Sequence, residues 1–388
     1  MKRTHALAAG ASALAVAFAA LPAHAEPVDT HTFTRNTTAL HVTAKAATAK
    51  AATANPGTAN AATADRTAAA AVLRIAGLDR IGTALEASSF WPDAGAEGAA
   101  SAVVLSRSDQ YADALGGSAL AGAAGGPLLL TSPDQLRAEV GAEIDRLLGG
   151  AGTVYLLGGP KAISVDVENA LDAAGYSVTR LDGVDRYETS VVTAKETAAL
   201  SPGGQTQLVF ATTGRNFPDG LAAGATAAGY WGAVVLTRDD QLPGPVATYL
   251  DELAALEIPM LAVGGAAAAA PGPWLDALVG RDRYETAQIV AESFWGSTDL
   301  DSDDPVVIGL ATGLDWPDAL SGGAFVAGGG PLVLSRKDSL PGSTSAAVTT
   351  LVSSAEPSTV ELGVLFGGPV AVTDTVLDEF DALLNPAP

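Results

Sequence analysis

The chain has no cysteine, and none of its four histidines lies beyond His41. Everything after that point lacks both thiol and imidazole. This excludes disulfide scaffolding, cysteine nucleophiles, His-based general-base catalysis and His zinc sites from the bulk of the protein. Basic charge is scarce as well: 21 Lys and Arg stand against 43 Asp and Glu, for a formal net charge of −22. Phosphate binding needs a basic surface, so nucleic acid is excluded as a partner class. The same acidity complicates binding to any other anionic polymer. Such binding needs a local Arg/Lys pocket, a bridging cation, or recognition of neutral sugar faces. After the first 25 residues no apolar run reaches the length of a membrane span without charges, so an integral membrane protein is not expected.

The start of the chain reads as an export signal. Lys2 and Arg3 precede a mostly Ala, Leu, Val and Phe stretch over 6–22, and Ala23-His24-Ala25 is a small-x-small cleavage site. Residues 1–25 are therefore expected to be removed on secretion, which leaves the remainder two charges more negative. Residues 26–70 are expected to be a disordered linker. Ala46-Ala47-Thr48-Ala49-Lys50 recurs nearly intact at 51–55 and 61–65, with almost no large apolar side chain to bury.

Beyond residue 70 the chain repeats itself. A first motif reads Gly77-Leu78-Asp79-Arg80, then Gly183-Val184-Asp185-Arg186-Tyr187-Glu188-Thr189, then Gly280-Arg281-Asp282-Arg283-Tyr284-Glu285-Thr286. A second places an aromatic ring two residues before an aspartate: Tyr111 and Asp113, Phe217 and Asp219, Trp316 and Asp318. A third is an apolar run ending in paired glycines, at 158–159, 264–265 and 367–368. The arginines of the first motif are 106 and 97 residues apart. That period is too long for a solenoid turn and long enough for a small domain. Three units are expected, at 71–174, 175–277 and 278–388.

Within each unit, short apolar runs alternate with helical patterns. In the first, Val72, Val103, Pro127 and Val154 begin strand candidates, with helices between them. Continuous apolar strands separated by helices predict an α/β fold with a parallel sheet covered on both faces. The third unit shows no clear strand before Gly280. Ligands of open parallel sheets sit beyond the carboxyl ends of the strands, where the motifs fall.

Each motif has two readings. The carboxylates of the first suit a helix N-terminus, while Arg80, Arg186 and Arg283 serve either a fixed ion pair or an acidic ligand group. In the second, a ring beside a carboxylate fits a sugar's apolar face and hydroxyls, or else a hydrophobic staple with a capping Asp. The helix after it is poor in bulk, as in Gly116-Gly117-Ser118-Ala119, which predicts close backbone approach of helix to sheet or module to module. The paired glycines are not a dinucleotide fingerprint, and no P-loop is present. In the second unit this loop is degenerate, with Ala266 to Ala270 where a Ser or Thr cap would fall. Asp134, Asp240 and Asp338 recur before surface helices. The acidic run Asp299, Asp301, Asp303 and Asp304 lacks the Gly and Glu of a calcium loop and reads as a solvated turn. No metal site, cofactor or catalytic residue is assigned.

Taken together, these residues closely resemble the bacterial cell wall binding repeat 2 family. Its hallmarks are a Gly-x-Asp-Arg-Tyr-x-Thr-Ala segment, an Asn-Phe-Pro-Asp-Ala-Leu segment, a Pro-Leu-Leu-Leu-Thr type strand and a Gly-Gly-x-x-Ala-Val-Ser turn. The resemblance covers about 71–388. It implies three tandem Rossmann- or Toprim-like modules packed about a pseudo-threefold axis. It also implies non-covalent attachment to an envelope polysaccharide or secondary wall polymer of a Gram-positive bacterium. The expectation is an exported, non-catalytic wall-binding protein. Its ligand-contacting candidates are Tyr111, Asp113, Phe217, Asp219, Trp316, Asp318, Arg80, Arg186 and Arg283. The alternatives are a wall-glycan-acting hydrolase, either an amidase, a label the resemblance carries by association, or a glycosidase working through carboxylates, and a self-assembling surface-layer or adhesive subunit. Alanine at Phe217 and Trp316 is expected to weaken wall binding without unfolding the chain.

Overall fold

In the computed structural model the described residues are 33–36, 70–296, 306–354 and 360–386. The expected signal at 1–25, most of the expected linker and the acidic run at 299–304 lie outside them. No helix among the described residues is long and apolar enough to cross a membrane.

Three four-stranded sheets carry the fold, and every strand pairing in them is parallel. The first contains β2 (Ala102–Arg107), β3 (Leu128–Thr131), β4 (Thr153–Leu157) and β5 (Ser177–Leu181), in the order β3-β2-β4-β5. The second contains β6 (Val209–Thr213), β7 (Ala233–Thr237), β8 (Met260–Val263) and β9 (Asp276–Leu278), in the order β7-β6-β8-β9. The third repeats that plan with β10 (Val306–Thr312), β11 (Leu332–Ser335) and β12 (Val360–Phe366). Its last place is filled by β1 (Ala71–Ile75), from the other end of the folded region. β1 runs in register with β12, Leu73 opposite Val364 and Ile75 opposite Phe366.

The sheets and the sequence motifs are thus offset. The strand before each first motif completes the preceding sheet, and β1 closes the series into a ring. The expected α/β modules are present, with central strands buried along their whole length, as β6 and β10 are. The third unit has its strand before Gly280 after all. β9 is three residues long, too short to show a periodicity in sequence.

Helices cover both faces. α1 (Arg80–Ser88), α5 (Arg186–Leu200) and α9 (Arg283–Trp295) follow the first motif. They pack on β3, β7 and β11 respectively. The helices after the second motif are α2 (Gly117–Ala124), α6 (Pro218–Gly229) and α10 (Pro317–Phe325). α3 (Ala138–Leu148), α4 (Val165–Ala173), α7 (Gly244–Ala254), α8 (Gly265–Ala268), α11 (Gly342–Ser354) and α12 (Asp374–Leu384) complete the modules.

α2, α6 and α10 pack on one another at the centre, each also touching the first-motif helix of the next module. Nearly all their residues are buried. Their poverty in side chains is what allows this. A Cβ on Gly122 would lie 2.9 Å from the Cβ of Ala228 and 3.0 Å from its carbonyl oxygen. A Cβ on Gly323 would lie 2.9 Å from Ser118 Oγ, and the Ser118 hydroxyl donates to Leu320 O at 3.0 Å between modules. The glycines cost helix propensity, and the contact between modules offsets that cost.

Larger side chains fill the space away from the axis. Phe210, Tyr230, Phe294 and Trp295 interlock where the second and third modules meet, with Tyr230 to Trp295 ring centroids 5.2 Å apart. Phe90, Trp91, Phe325 and Phe366 do the same between the third module and α1.

Gly122→Val is expected to lower unfolding free energy by about 2 kcal/mol, because the added carbons meet backbone. Gly244→Ala, whose Cβ meets nothing within 4 Å, is expected to be neutral or mildly stabilising. Urea melts of the two variants check the contrast.

Candidate functional site

The first motif is a helix cap built the same way three times. Asp79 Oδ1 accepts from Gly82 N at 2.8 Å, Asp185 Oδ1 from Tyr187 N and Glu188 N, and Asp282 Oδ1 from Tyr284 N and Glu285 N. The Gly82 N–H and, after it, Arg137 hold the Asp79 carboxyl below its ordinary range. Thr83, Thr189 and Thr286 each accept through Oγ1 from the N–H of Gly77, Gly183 and Gly280, at 3.1 Å in every copy. Glu188 and Glu285 reach back to the N–H of Val184 and Arg281, a reciprocal cap. The first copy has no such glutamate. So Asp, Glu and Thr of this motif are accounted for by capping, and the arginine is what remains.

That arginine points to the strand ends. Arg80 Nη1 donates to Ser108 O at 2.8 Å, Arg186 Nη1 to Gly214 O at 2.7 Å, and Arg283 Nη1 to Gly313 O. Each acceptor lies just past the first strand of the same sheet. From there each guanidinium reaches the second motif of the preceding module. Arg80 stands 5.5 Å from the Trp316 ring and Arg283 stands 5.9 Å from the Phe217 ring, within cation–π range. Arg80 Nη2 also lies 3.5 Å from Asp315 Oδ2. Arg186 and, after it, Arg107 are the opposing charges that act on Asp113.

The three rings of the second motif meet. Tyr111 lies 5.6 Å from Phe217 and 6.4 Å from Trp316, edge to face. They cap the axis above the N-terminal ends of α2, α6 and α10. Tyr111 OH donates to Arg215 O at 2.8 Å across the module boundary. Trp316 is 6 % exposed, while Tyr111 and Phe217 are half-buried. Alanine at Trp316 therefore removes packing as well as any ligand contact, which the sequence expectation did not foresee.

The aspartates and the paired glycines also come together. A Cβ on Gly158 would lie 2.6 Å from Asp113 Oδ2 and one on Gly367 2.7 Å from Asp318 Oδ2, while one on Gly264 would collide with Asp219 Oδ2. The first glycine of each pair has φ of +94°, +84° and +111°. Both the positive φ and the carboxylate at its back require glycine there. Burial pushes all three carboxyls up, Asp219 to about 6. Arg186 and Arg107 oppose the shift at Asp113, Arg283 at Asp219, and the Thr83 hydroxyl and then Arg80 at Asp318.

Several contributors were missed in the sequence. Arg74 donates to Gly367 O and Val372 O at 2.7 and 2.9 Å, and Arg180 donates to Gly158 O and Ile163 O at 2.8 and 2.9 Å. They pin the glycine loops of the third and first modules. The signal was an arginine inside an apolar strand, three residues before the first-motif glycine. In the second module that position is Ala277, and there the loop is the degenerate one. Arg238 and Arg336 lie over Tyr187 and Tyr284 at 4.9 and 5.2 Å. Both sit two residues before the recurrent Asp240 and Asp338.

The result is a face where the strand ends of all three sheets carry arginine in an otherwise acidic protein. Many of these cations are balanced locally: Arg107 with Asp109, Arg137 with Asp79, Arg215 with Asp239, Arg238 with Asp185. Among the described residues no group of His, Cys, Asp or Glu is arranged to hold a metal ion. Each junction of arginine, ring and aspartate is assembled from two modules.

The fold is a ring of three α/β modules with a polar junction repeated at its strand ends, and its sequence defines its family. The Cell wall binding domain 2 (CWB2) family matches residues 74–168, 180–271 and 277–377, and the chain belongs to it. The chain is 33 % identical over 171 residues to the Amidase enhancer of Bacillus subtilis (strain 168), covering 44 % of this chain and 22 % of that protein. It is 31 % identical over 131 residues to N-acetylmuramoyl-L-alanine amidase LytC of the same organism, covering 34 % and 25 %. It thus spans a quarter or less of these relatives. Among solved structures, Cwp6 from Clostridium difficile matches with a TM-score of 0.67 at 22 % identity, and Cwp8 with 0.65 at 23 %. They cover 85 % and 81 % of this chain and 51 % of each Cwp chain, and they show the same fold.

The folded Asp219 carboxyl, raised to about 6 by burial, binds its proton more tightly than in the unfolded chain. Its contribution to stability is complete below about pH 4 and is lost as pH rises through 6. Asp219→Asn is expected to flatten that part of the profile. Urea midpoints measured from pH 4 to 7 for both proteins check it.

Proposed function

We propose that this chain is an exported wall anchor that holds a cell-wall polymer non-covalently and does no chemistry on it. The observation that carries this reading is the threefold recurrence of one junction. An arginine from one module is placed against the ring or carboxylate of the module before it, on the strand-end face. Arg80 with Trp316 and Asp318, Arg186 with Tyr111 and Asp113, and Arg283 with Phe217 and Asp219 are the proposed contact sets. The arginines supply the local cationic pockets that an acidic protein needs to approach an anionic polymer. Three similar junctions let a long repetitive ligand bind at several points, so avidity replaces strong single contacts.

Membership of a cell wall binding family supports the wall as the target, and with it an extracellular location. The relatives named amidase and amidase enhancer match over a minor part of their length. The second reading, a wall hydrolase, draws on the raised carboxyl of Asp219, which is a candidate acid near neutral pH. Against it, Asp219 is backed onto Gly264, and the charge that acts on it is the Arg283 guanidinium, not a second carboxylate.

Arg80→Gln, Arg186→Gln and Arg283→Gln are each expected to weaken retention on purified wall by roughly three- to tenfold. The triple variant is expected to lose it almost entirely while its melting curve remains cooperative. Co-sedimentation with a parallel assay for released sugar or peptide decides between the readings. Unchanged retention in the triple variant contradicts the junctions as the site, and product release establishes the hydrolase.

A further inference from the structure

The pole of the axis opposite the aromatic cap is occupied by four residues from the stretch expected to be linker. Asn36 is 2 % exposed and sits where the last turns of the glycine-rich helices converge. Its Nδ2 donates to Gly122 O at 2.9 Å on α2 and to Ala228 O at 3.3 Å on α6. Its backbone N–H donates to Gly229 O at 2.8 Å. Arg35 Nη2 donates to Gly328 O at 3.0 Å, just past α10. Thr34 and Gln207 exchange two hydrogen bonds, at 2.8 and 3.0 Å. Phe33 stacks on Phe294 of α9, with centroids 6.5 Å apart and planes at 29°.

From this geometry we infer that the pole is a peptide-binding site whose ligand is the chain's own segment 33–36, a latch that ties the three modules together. One tetrapeptide touches all three: Gly122 in the first, Gln207, Ala228 and Gly229 in the second, Phe294 and Gly328 beside the third sheet. The chemistry is suited to the place. The last carbonyls of a helix lack intrahelical donors, and the partial negative charge of three helix ends gathers here. An asparagine amide supplies two N–H donors to two of those ends, and an arginine supplies positive charge to the third. At this pole the carbonyls of Gly122, Ala228, Gly229 and Gly328 face inward, and donors to all four come from a separate segment. Residues 33–36 lie away from the strand-end face, so latch and proposed wall contacts do not compete for space.

Trypsin reads the latch directly, since Arg35–Asn36 is a cleavable bond. In the intact full chain this bond is expected to be cut about 100-fold more slowly than in a synthetic peptide of residues 28–44. Asn36→Ala is expected to bring the rate at least tenfold back toward that of the peptide while the far-UV spectrum is unchanged. Cleavage of the wild-type bond at the peptide's rate overturns the inference, as does full protection in Asn36→Ala. The wild-type measurement stands alone should the variant fail to fold.

Discussion

Everything in this molecule depends on three helices approaching one another at backbone distance. α2, α6 and α10 bury almost every residue they have, and glycine or alanine stands where a larger side chain would meet a neighbour's main chain. Such helices are poor by propensity and carry little amphipathic signal. They exist as helices because tertiary packing holds them on all sides. Once they are in contact, the three sheets are brought round a common axis, the second-motif rings must meet above it, and each first-motif arginine falls beside the preceding module.

The ring closure has a consequence for function. β1 completes the third sheet although it precedes the first, so the third sheet and the junction of Arg80 with Trp316 and Asp318 are drawn from both ends of the folded region. The proposed contact sets are each drawn from two modules, and the packed central helices couple the three copies structurally even where their residues differ. The second module tests how much variation is tolerated. It lacks the arginine that pins the glycine loop and has a three-residue edge strand, yet Asp219 and Arg283 keep their places.

Much of this was legible in the residues, for local reasons. Apolar runs of three to five residues separated by helical patterns pointed to parallel strands covered on both faces, and β3, β6, β7, β8, β10 and β11 are buried along their whole length. Asp before Arg-Tyr-Glu-Thr pointed to a helix start, and Asp185 and Asp282 cap it. The low bulk after Asp113, Asp219 and Asp318 pointed to close approach. What was not legible is long-range. Sheet order is set by packing between segments far apart in sequence, so the pairing of β1 with β12 left no local trace. The meeting of Tyr111, Phe217 and Trp316 is a property of the axis, invisible in any one copy. Arg74 and Arg180 were passed over, because their acceptors are carbonyls in a loop on another element. Residues 33–36 have no periodicity at all and are placed only by the pole that receives them.

The central claim is that this ring holds a wall polymer and leaves it intact. Co-sedimentation of the full chain with intact wall, set beside wall stripped of its secondary polymers, tests that most directly when the supernatants are analysed for soluble fragments. Retention on intact wall, marked loss on stripped wall and no released sugar or peptide are the expected results. Equal retention on both walls would contradict binding to a secondary polymer, and fragments in the supernatant would contradict a purely holding role.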